Sequence, residues 1–161
     1  MIREVTLADA AALAALFAQL DAETAFMAMG EHATAVGFED YLPVFNHSST
    51  QVFYVLEYEN QLVGFAIAIA AYVTANPTAL SVVMGVTQAH AGQGLGKQLL
   101  TQIEAWAIAF NFSYLELMVM VQNQRAISFY QHAGFEQQLL TLDRLIDEAE
   151  GNELYMVKVA V

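Results

Sequence analysis

Three glycines and a lysine form the stretch of this chain whose residue types and spacing best suit chemistry. The segment AHAGQGLGKQLL, residues 89–100, places Gly92, Gly94 and Gly96 at alternate positions, with Lys97 directly after them. The apolar residues that follow recur at helical spacing, so the glycines precede a helix. Bare backbone amides and the positive end of a helix dipole then converge on one place, which attracts an anion such as phosphate.

The spacing of these glycines excludes two familiar nucleotide-binding loops. The P-loop pattern requires glycine at Ala91 and Ser or Thr at Gln98, and the dinucleotide pattern requires glycine at Lys97. What remains is a loop that can wrap a pyrophosphate but is not built for magnesium-ATP. A tight turn before a helix would explain the same glycines without any ligand.

A second motif, NQRAISFYQHAGF, follows about thirty residues later. Asn123 and Tyr130 are seven residues apart, or two helical turns, so their side chains can face the same way. Gly134 suits the left-handed position that ends a helix.

Together, VTQAHAGQGLGKQLL and NQRAISFYQHAGF resemble the two signature segments of the GNAT superfamily of N-acetyltransferases. The usual text of that superfamily is V-x-P-x-x-R-G-x-G-I-G-x-x-L-L, followed by N-x-x-A-x-x-F-Y-x-x-x-G-F. The resemblance is close over residues 86–135, and the order of elements agrees over nearly the whole chain. It implies the GNAT fold, in which acetyl-coenzyme A lies between splayed parallel strands, here residues 80–87 and 114–121.

The resemblance also implies which residues bind the cofactor and which one is catalytic. Backbone at Met84 and Val86 is expected to bond the pantetheine arm and thioester, and Tyr130 to protonate the departing thiolate. A phenol suits that role because it keeps its proton at neutral pH. Asn123 and Arg125 are expected to assist the cofactor. Its pyrophosphate is expected on the loop formed by Ala91, Gly92, Gln93, Gly94, Leu95, Gly96 and Lys97.

The implied function is transfer of acetyl from acetyl-coenzyme A to a primary amine, of a small molecule or a peptide, by direct attack. The absence of cysteine fits a direct transfer. Two departures from the family pattern support an alternative, a non-catalytic acyl-coenzyme A-binding or regulatory module. Ala91 stands where Arg or Gln is common, and ALSVVMGVT lacks the acid that often deprotonates the amine. The general base is therefore unassigned.

Length and charge narrow the class of protein. The 161 residues suit a single domain, 1–161, with one sizeable core. A net charge of −12, from 17 acidic and 5 basic residues, argues against phosphate-tracking nucleic-acid binding, which needs clustered Lys and Arg. The formal charges of residues 89–135 nevertheless sum to zero, because Glu104 and Glu116 are balanced by Lys97 and Arg125. This neutral window either protects an anion site or arises by chance.

The hydrophobic pattern predicts an α/β fold with a mixed central sheet of about six to seven strands flanked by helices. Helices are expected over 8–27, 38–45, 95–110 and 125–133. The strands on each side of the third helix should lie parallel. Strands are expected over 2–6, 51–58, 61–73, 79–87, 114–121, 135–142 and 153–159.

The remaining expectations concern surroundings and partners. The longest apolar run, Leu62 to Val73, is too short to span a membrane, and Glu4 and Asp9 oppose a signal peptide, so a cytoplasmic protein is expected. The four histidines lack metal-ligand spacing, so no metal is assigned. The apolar composition is compatible with a homodimer. The acceptor is expected near residues 21–45 and 136–153, whose acids would attract a cationic amine or simply face solvent.

Overall fold

The computed structural model describes residues 1–24, 34–138 and 153–160. These residues form seven strands and four α-helices, joined in places by 3-10 turns at Leu7–Asp9, Leu42–Phe45 and Gln88–His90. The helices are α1 Ala10–Glu23, α2 Ala35–Tyr41, α3 Leu95–Ala109 and α4 Gln124–His132. The strands are β1 Ile2–Glu4, β2 Gln51–Tyr58, β3 Gln61–Ala70, β4 Ala79–Val86, β5 Tyr114–Met120, β6 Glu136–Gln137 and β7 Glu153–Val159.

All seven strands join one open sheet in the order β1-β2-β3-β4-β5-β7-β6. The first four are antiparallel neighbours along the chain, and the β2–β3 hairpin turns at Glu59 and Asn60, whose φ angles are 50° and 63°. Such positive angles suit the tight turn that joins twisted strands, and asparagine tolerates them well. Since β4 and β5 are parallel, the sheet is mixed, and this prediction is confirmed.

The β4–β5 contact is the feature of the sheet that bears most on function. Only three residue pairs join the two strands, and the last of them is Ser81 with Glu116. Beyond that pair, β4 stays bonded to β3 as far as Val86, and β5 stays bonded to β7 as far as Met120. Each strand therefore follows its outer neighbour, and a wedge-shaped gap opens between their carboxyl ends.

Alternation along the strands supplies a core on each face of the sheet. Leu80 and Val82 of β4 pack with Leu99 and Ile103 of α3 on one face. On the other face, Phe65 and Ile67 of β3 pack with residues of α1 and α2. The two helical layers thus hold the sheet from both sides and fix the position of the gap.

Several element bounds differ from those predicted from the sequence. The first helix begins at Ala10 because the Asp9 carboxylate accepts the Thr6 amide at 2.7 Å and holds residues 7–9 in a 3-10 turn. The second begins at Ala35, after the Thr34 hydroxyl caps the Gly37 amide at 3.1 Å, and becomes a 3-10 turn at Leu42. β3 ends at Ala70, earlier than predicted. The predicted ends at 25–27 and 139–142 lie outside the described residues.

Candidate active site

A cleft of about 650 Å³ opens where β4 and β5 part. It lies between the carboxyl end of β4, the loop that enters α3, the first turns of α4 and the end of α1. Eleven of the twelve site residues predicted from the sequence line it, and Gln93, which is exposed, does not. The lining predicted residues are Met84, Val86, Ala91, Gly92, Gly94, Leu95, Gly96, Lys97, Asn123, Arg125 and Tyr130.

Backbone groups of β4 point into the gap. In an antiparallel ladder, alternate residues turn both their N–H and their C=O toward the same neighbour. The Thr87 amide donates to the Val63 carbonyl at 2.9 Å, so Thr87, Gly85 and Val83 face β3. Met84 and Val86 consequently direct their amides and carbonyls toward the gap, where β5 no longer pairs with them. They are free to bond an extended ligand arm.

The glycine loop approaches the cleft with its backbone exposed. Gly92 and Gly94 have φ angles of 78° and 77°, a region that side chains rarely adopt, and a Cβ at either would meet nothing within 4 Å. Gly94 is also the N-cap residue directly before α3, and no side chain caps the helix there. Within the described residues, the first amides of α3 therefore lack partners, and the 15-residue helix directs its dipole at the cleft.

Two cations line this cleft without an ion-pair partner in the part of the chain that the structure describes. Among the described residues, Arg3 pairs with Asp9 and Glu57, and Lys158 pairs with Glu104 at 2.8 Å. Lys97 and Arg125 line the cleft and form no ion pair there. In a chain with a net charge of −12, two unpaired cations beside a helix N-terminus make this a place for an anion.

Asn123 and Tyr130 lie at opposite ends of α4, and both reach the cleft. The Asn123 side chain caps α4 by accepting the Ala126 amide at 3.2 Å, which leaves its NH₂ group available. Tyr130 is only 9% exposed and packs edge-on against Phe129 and Phe135. Its hydroxyl has no hydrogen-bond partner among the described residues, and burial raises the pKa of the phenol well above its usual value. Tyr130 is therefore a protonated residue of the cleft lining whose hydroxyl no described residue occupies.

The end of α1 contributes three residues that were not among the predicted catalytic or cofactor-binding residues, although Glu23 and Thr24 fall in the segment expected to meet the acceptor. Leu20, Glu23 and Thr24 line the cleft, and the Glu23 carboxylate accepts the Gln88 amide at 2.8 Å. Glu23 is the one acid among the described lining residues. Because 65 residues separate Glu23 from Gln88, no local pattern could have linked them.

Other lining residues did carry a signal in the sequence. Ala126 lies three residues after Asn123 and four before Tyr130, and Phe129 lies three residues after Ala126, which is the spacing of one helix face. His90, which bonds Thr87 at 3.0 Å and packs on Tyr58, lies on the turn before the glycines. Gly85 and Gln88 complete the lining.

Two further properties concern the described ranges as a whole. No group of three or more His, Asp or Glu side chains in residues 1–24, 34–138 and 153–160 is arranged to hold a metal ion. In the same ranges, no helix combines the length and the apolar character that a bilayer crossing requires.

The sequence matches the model of the acetyltransferase (GNAT) family over residues 15–135. This protein belongs to the GNAT acetyltransferase family. The matched range contains β2 to β5, α3, α4 and all of the described cleft lining. No curated protein was found to be related to this GNAT chain in sequence.

Solved structures share the fold of this GNAT protein at low sequence identity. A GNAT acetyltransferase from Streptococcus pneumoniae superposes with a TM-score of 0.83 at 24% identity, over 99% of this chain and 98% of that one. A ribosomal-protein-alanine N-acetyltransferase from Brucella melitensis superposes with a TM-score of 0.81 at 21% identity, over 99% of both chains. An N-acetyltransferase from Thermoplasma acidophilum, solved in complex with coenzyme A, superposes with a TM-score of 0.80 at 16% identity, over 99% of this chain and 98% of that one.

Proposed function

We propose that this protein transfers an acetyl group from acetyl-coenzyme A to a primary amine by direct attack, and that residues 1–161 act as one catalytic domain. The observation that carries the proposal is Tyr130, which lines the same cleft as the glycine loop and whose buried hydroxyl has no hydrogen-bond partner among the described residues. A protonated donor beside an anion-binding loop suits a reaction whose leaving group is a thiolate on a phosphate-bearing carrier.

The residues present fit coenzyme A. The unpaired amides at the start of α3, with Lys97 and Arg125, would hold its pyrophosphate, since amides and cations together bind phosphate at helix N-termini. The gap-facing backbone of Met84 and Val86 would bond the pantetheine arm. The coenzyme A complex of the Thermoplasma acidophilum enzyme, which shares the fold, also supports this cofactor.

When bound, acetyl-coenzyme A supplies a thioester whose acyl carbon accepts the amine nitrogen as the carbon–sulfur bond breaks. Amides of Met84 and Val86 face the gap and would stabilise negative charge on the acyl oxygen. Tyr130 would pass its proton to the departing sulfur and then regain one from solvent. Desolvation raises the pKa of a buried thiol as well as that of the phenol, so this transfer stays within reach of both groups.

The amine must lose a proton before it attacks, and Glu23 is the acid available at the described cleft. We propose that its carboxylate accepts this proton, directly or through water. Glu23→Gln keeps an oxygen for the Gln88 amide while removing the charge. This variant should bind coenzyme A normally and lose about tenfold or more in kcat, with general base catalysis as the physical reason. Unchanged kcat across pH would assign the proton to another acceptor.

Thiol release from acetyl-coenzyme A over a panel of small amines and peptide N-termini tests the function itself. We expect release that depends on both the acceptor and the enzyme, with acetylated amine appearing in equal amount. Tight coenzyme A binding without release for any acceptor would instead establish the second candidate, a non-catalytic acyl-coenzyme A-binding module. Ala91, which adds no polar group to the lining, is the observation that favours this second candidate.

Coenzyme A affinity tests the anion site separately. Lys97→Gln should raise the Kd of coenzyme A about tenfold, because hydrogen bonds to charged groups contribute about 1.5–3 kcal/mol. Lys158→Gln is the matched control, since that lysine is already paired with Glu104. Calorimetry on both variants should show the loss at Lys97 only. An equal loss at Lys158 would mean that overall charge, and not the cleft, governs binding.

A further inference from the structure

Glu116 is a buried acid that the proposed chemistry does not use. Its side chain is 0% exposed and lies on the face of the sheet opposite α3. No cation pairs with it among the described residues. A buried carboxylate without a counter-charge is costly unless hydrogen bonds compensate it, so its surroundings require an explanation.

Four donors from three parts of the fold surround this carboxylate. Oε1 accepts the Thr74 hydroxyl and the Tyr155 hydroxyl, each at 2.7 Å. Oε2 accepts the Ser81 hydroxyl at 2.9 Å and the Thr74 amide at 3.2 Å. Burial and the Glu116 carboxylate raise the pKa of the Tyr155 phenol, which keeps that donor protonated. Glu116 thereby binds β4, β7 and the β3–β4 connection to β5.

The position of these bonds coincides with the fork in the sheet. Ser81 and Glu116 are the last pair of β4 and β5, and their side chains bond across that same pair. The Val73 amide also donates to the Ser81 hydroxyl at 2.9 Å, so the connecting loop is held at the same point. Two residues further along β4, Val83 is already 42% exposed. The network marks the boundary between the closed and the open parts of the sheet.

We propose that Glu116 is a positioning residue of the transferase, which fixes where β4 and β5 part and so sets the width of the gap that receives the pantetheine arm. This proposal rests on the proposed cofactor. The gap-facing backbone of Met84 and Val86 begins three residues beyond Ser81, so a shift of the fork moves both donors relative to β5. Four hydrogen bonds that converge on one buried side chain suit such a task, because a fully satisfied buried network is rigid.

Glutamine can separate the geometry from the charge. Its amide oxygen can accept the Thr74 amide and Ser81 hydroxyl, while its NH₂ donates to the Thr74 and Tyr155 hydroxyls once these rotate. Leucine fills a similar space and can accept nothing. If position is what matters, Glu116→Gln should resemble the wild type and Glu116→Leu should not.

Asp9 offers a matched control away from the cleft. It is also a buried carboxylate with four hydrogen bonds, which it accepts from Arg3 and Thr6. Asp9→Leu should therefore lower stability about as much as Glu116→Leu without touching the fork. The readouts are the Kd of coenzyme A by calorimetry and the amide exchange of residues 82–86 in ligand-free protein.

We expect Glu116→Leu to raise the Kd of coenzyme A at least tenfold and to speed amide exchange at residues 82–86. The Kd and the exchange of Glu116→Gln should stay within threefold of wild type. Asp9→Leu should leave both readouts unchanged. Wild-type Kd and exchange in Glu116→Leu would overturn the proposal, as would equal losses in Asp9→Leu. Losses in Glu116→Gln as large as in Glu116→Leu would also overturn it, because the charge itself would then be in use.

Milder variants cover the case in which Glu116→Leu does not fold. Ser81→Ala and Tyr155→Phe each remove one donor, and each should raise the Kd about threefold with faster exchange at residues 82–86. The exchange measurement needs no ligand and no turnover. A protein that fails to transfer acetyl would refute the proposed function while the role of Glu116 at the fork was still measured.

Discussion

At the scale of single residues, the Tyr130 hydroxyl combines two properties that rarely occur together. It is buried, and it has no hydrogen-bond partner among the described residues. A buried polar group without a partner costs free energy of folding, so a hydroxyl kept in this state points to a role in the reaction and not in stability.

Tyr130→Phe should therefore separate activity from stability. The change removes only the hydroxyl, and the ring contacts with Phe129 and Phe135 remain. We expect kcat to fall about 100-fold, since a positioned acid contributes about 10²–10⁴-fold, while the free energy of unfolding stays equal or rises by up to about 1 kcal/mol. Thiol release and urea unfolding measure the two quantities. Full activity in the variant would remove Tyr130 from the mechanism.

The raised pKa of Tyr130 also predicts the shape of the pH profile. Because burial lifts the phenol pKa above its usual value near 10, the acid form persists through pH 10. We expect kcat to rise as the acceptor amine loses its proton and then to stay level to about pH 10. A fall in kcat with an apparent pKa between 8 and 9.5, in protein that is still folded, would contradict this assignment.

At the scale of elements, α3 and α4 meet closely enough that one glycine matters. A Cβ on Gly96 would lie 3.3 Å from the ring of Phe129, on the helix that carries Tyr130. A Cβ on Gly94 would meet nothing, but its φ of 77° disfavours any side chain.

Two alanine variants should thus fail in different ways. Gly94→Ala should lose about 1 kcal/mol of stability, the usual cost of alanine in a left-handed conformation. Gly96→Ala gains helix propensity, so its stability should change little, but pressure on Phe129 should lower kcat severalfold. Thermal unfolding and kinetics on both variants provide the comparison. If Gly96→Ala keeps full kcat, α4 accommodates the methyl group without moving Tyr130.

The joint between β1 and α1 should govern sensitivity to acid. Arg3 donates to Asp9 at 2.8 and 2.9 Å, and this pairing holds the pKa of the Asp9 carboxyl below its usual value. The stabilisation is present above the unfolded-state pKa, near 3.9, and is lost as the pH falls below it.

Asp9→Asn should accordingly cost about 1–2 kcal/mol of unfolding free energy at pH 7 and less at pH 3. Denaturant unfolding at both pH values measures this difference. Glu57→Gln is a suitable control, because Glu57 contacts the same arginine at 3.3 Å from a more exposed position. An equal loss for Asp9→Asn at both pH values would show that shape, and not charge, makes the joint stable.

Local patterns predicted most of the elements. Alternation and turn residues located the strands, and the repeat of Leu99, Ile103 and Trp106 located α3, because each signal lies within one element. Eleven of the residues that were predicted from the family motifs line one cleft. The sequence placed Glu23 in the expected acceptor segment and Glu116 in the neutral window, but it did not predict their contacts, because the partners lie 65 residues away in one case and up to 42 in the other. Such contacts depend on the completed sheet.

At the scale of the whole molecule, the structure explains the neutral window found in the sequence. Its two acids are occupied elsewhere, Glu104 by Lys158 and Glu116 by the buried donors at the fork. Its two cations, Lys97 and Arg125, have no ion pair in the described residues and line the cleft. An acidic surface would thus surround a positive site, which favours phosphate entering there. The homodimer and the cytoplasmic location remain predictions.

The gap also means that this sheet contains edge strands in its interior. The gap-facing amides and carbonyls of Met84 and Val86 can template the pairing of a foreign strand, a hazard normally confined to the margins of a sheet. A ligand arm bonded there would occupy the template. Ligand-free protein and protein with saturating coenzyme A are each heated to the same interval below their own Tm, so that the stability added by the ligand is accounted for. The ligand-free protein should then aggregate faster, as measured by light scattering. Equal aggregation of the two samples would show that the cleft walls already shield these strands. Faster aggregation of the ligand-free sample would show that bound cofactor helps to keep the protein in solution.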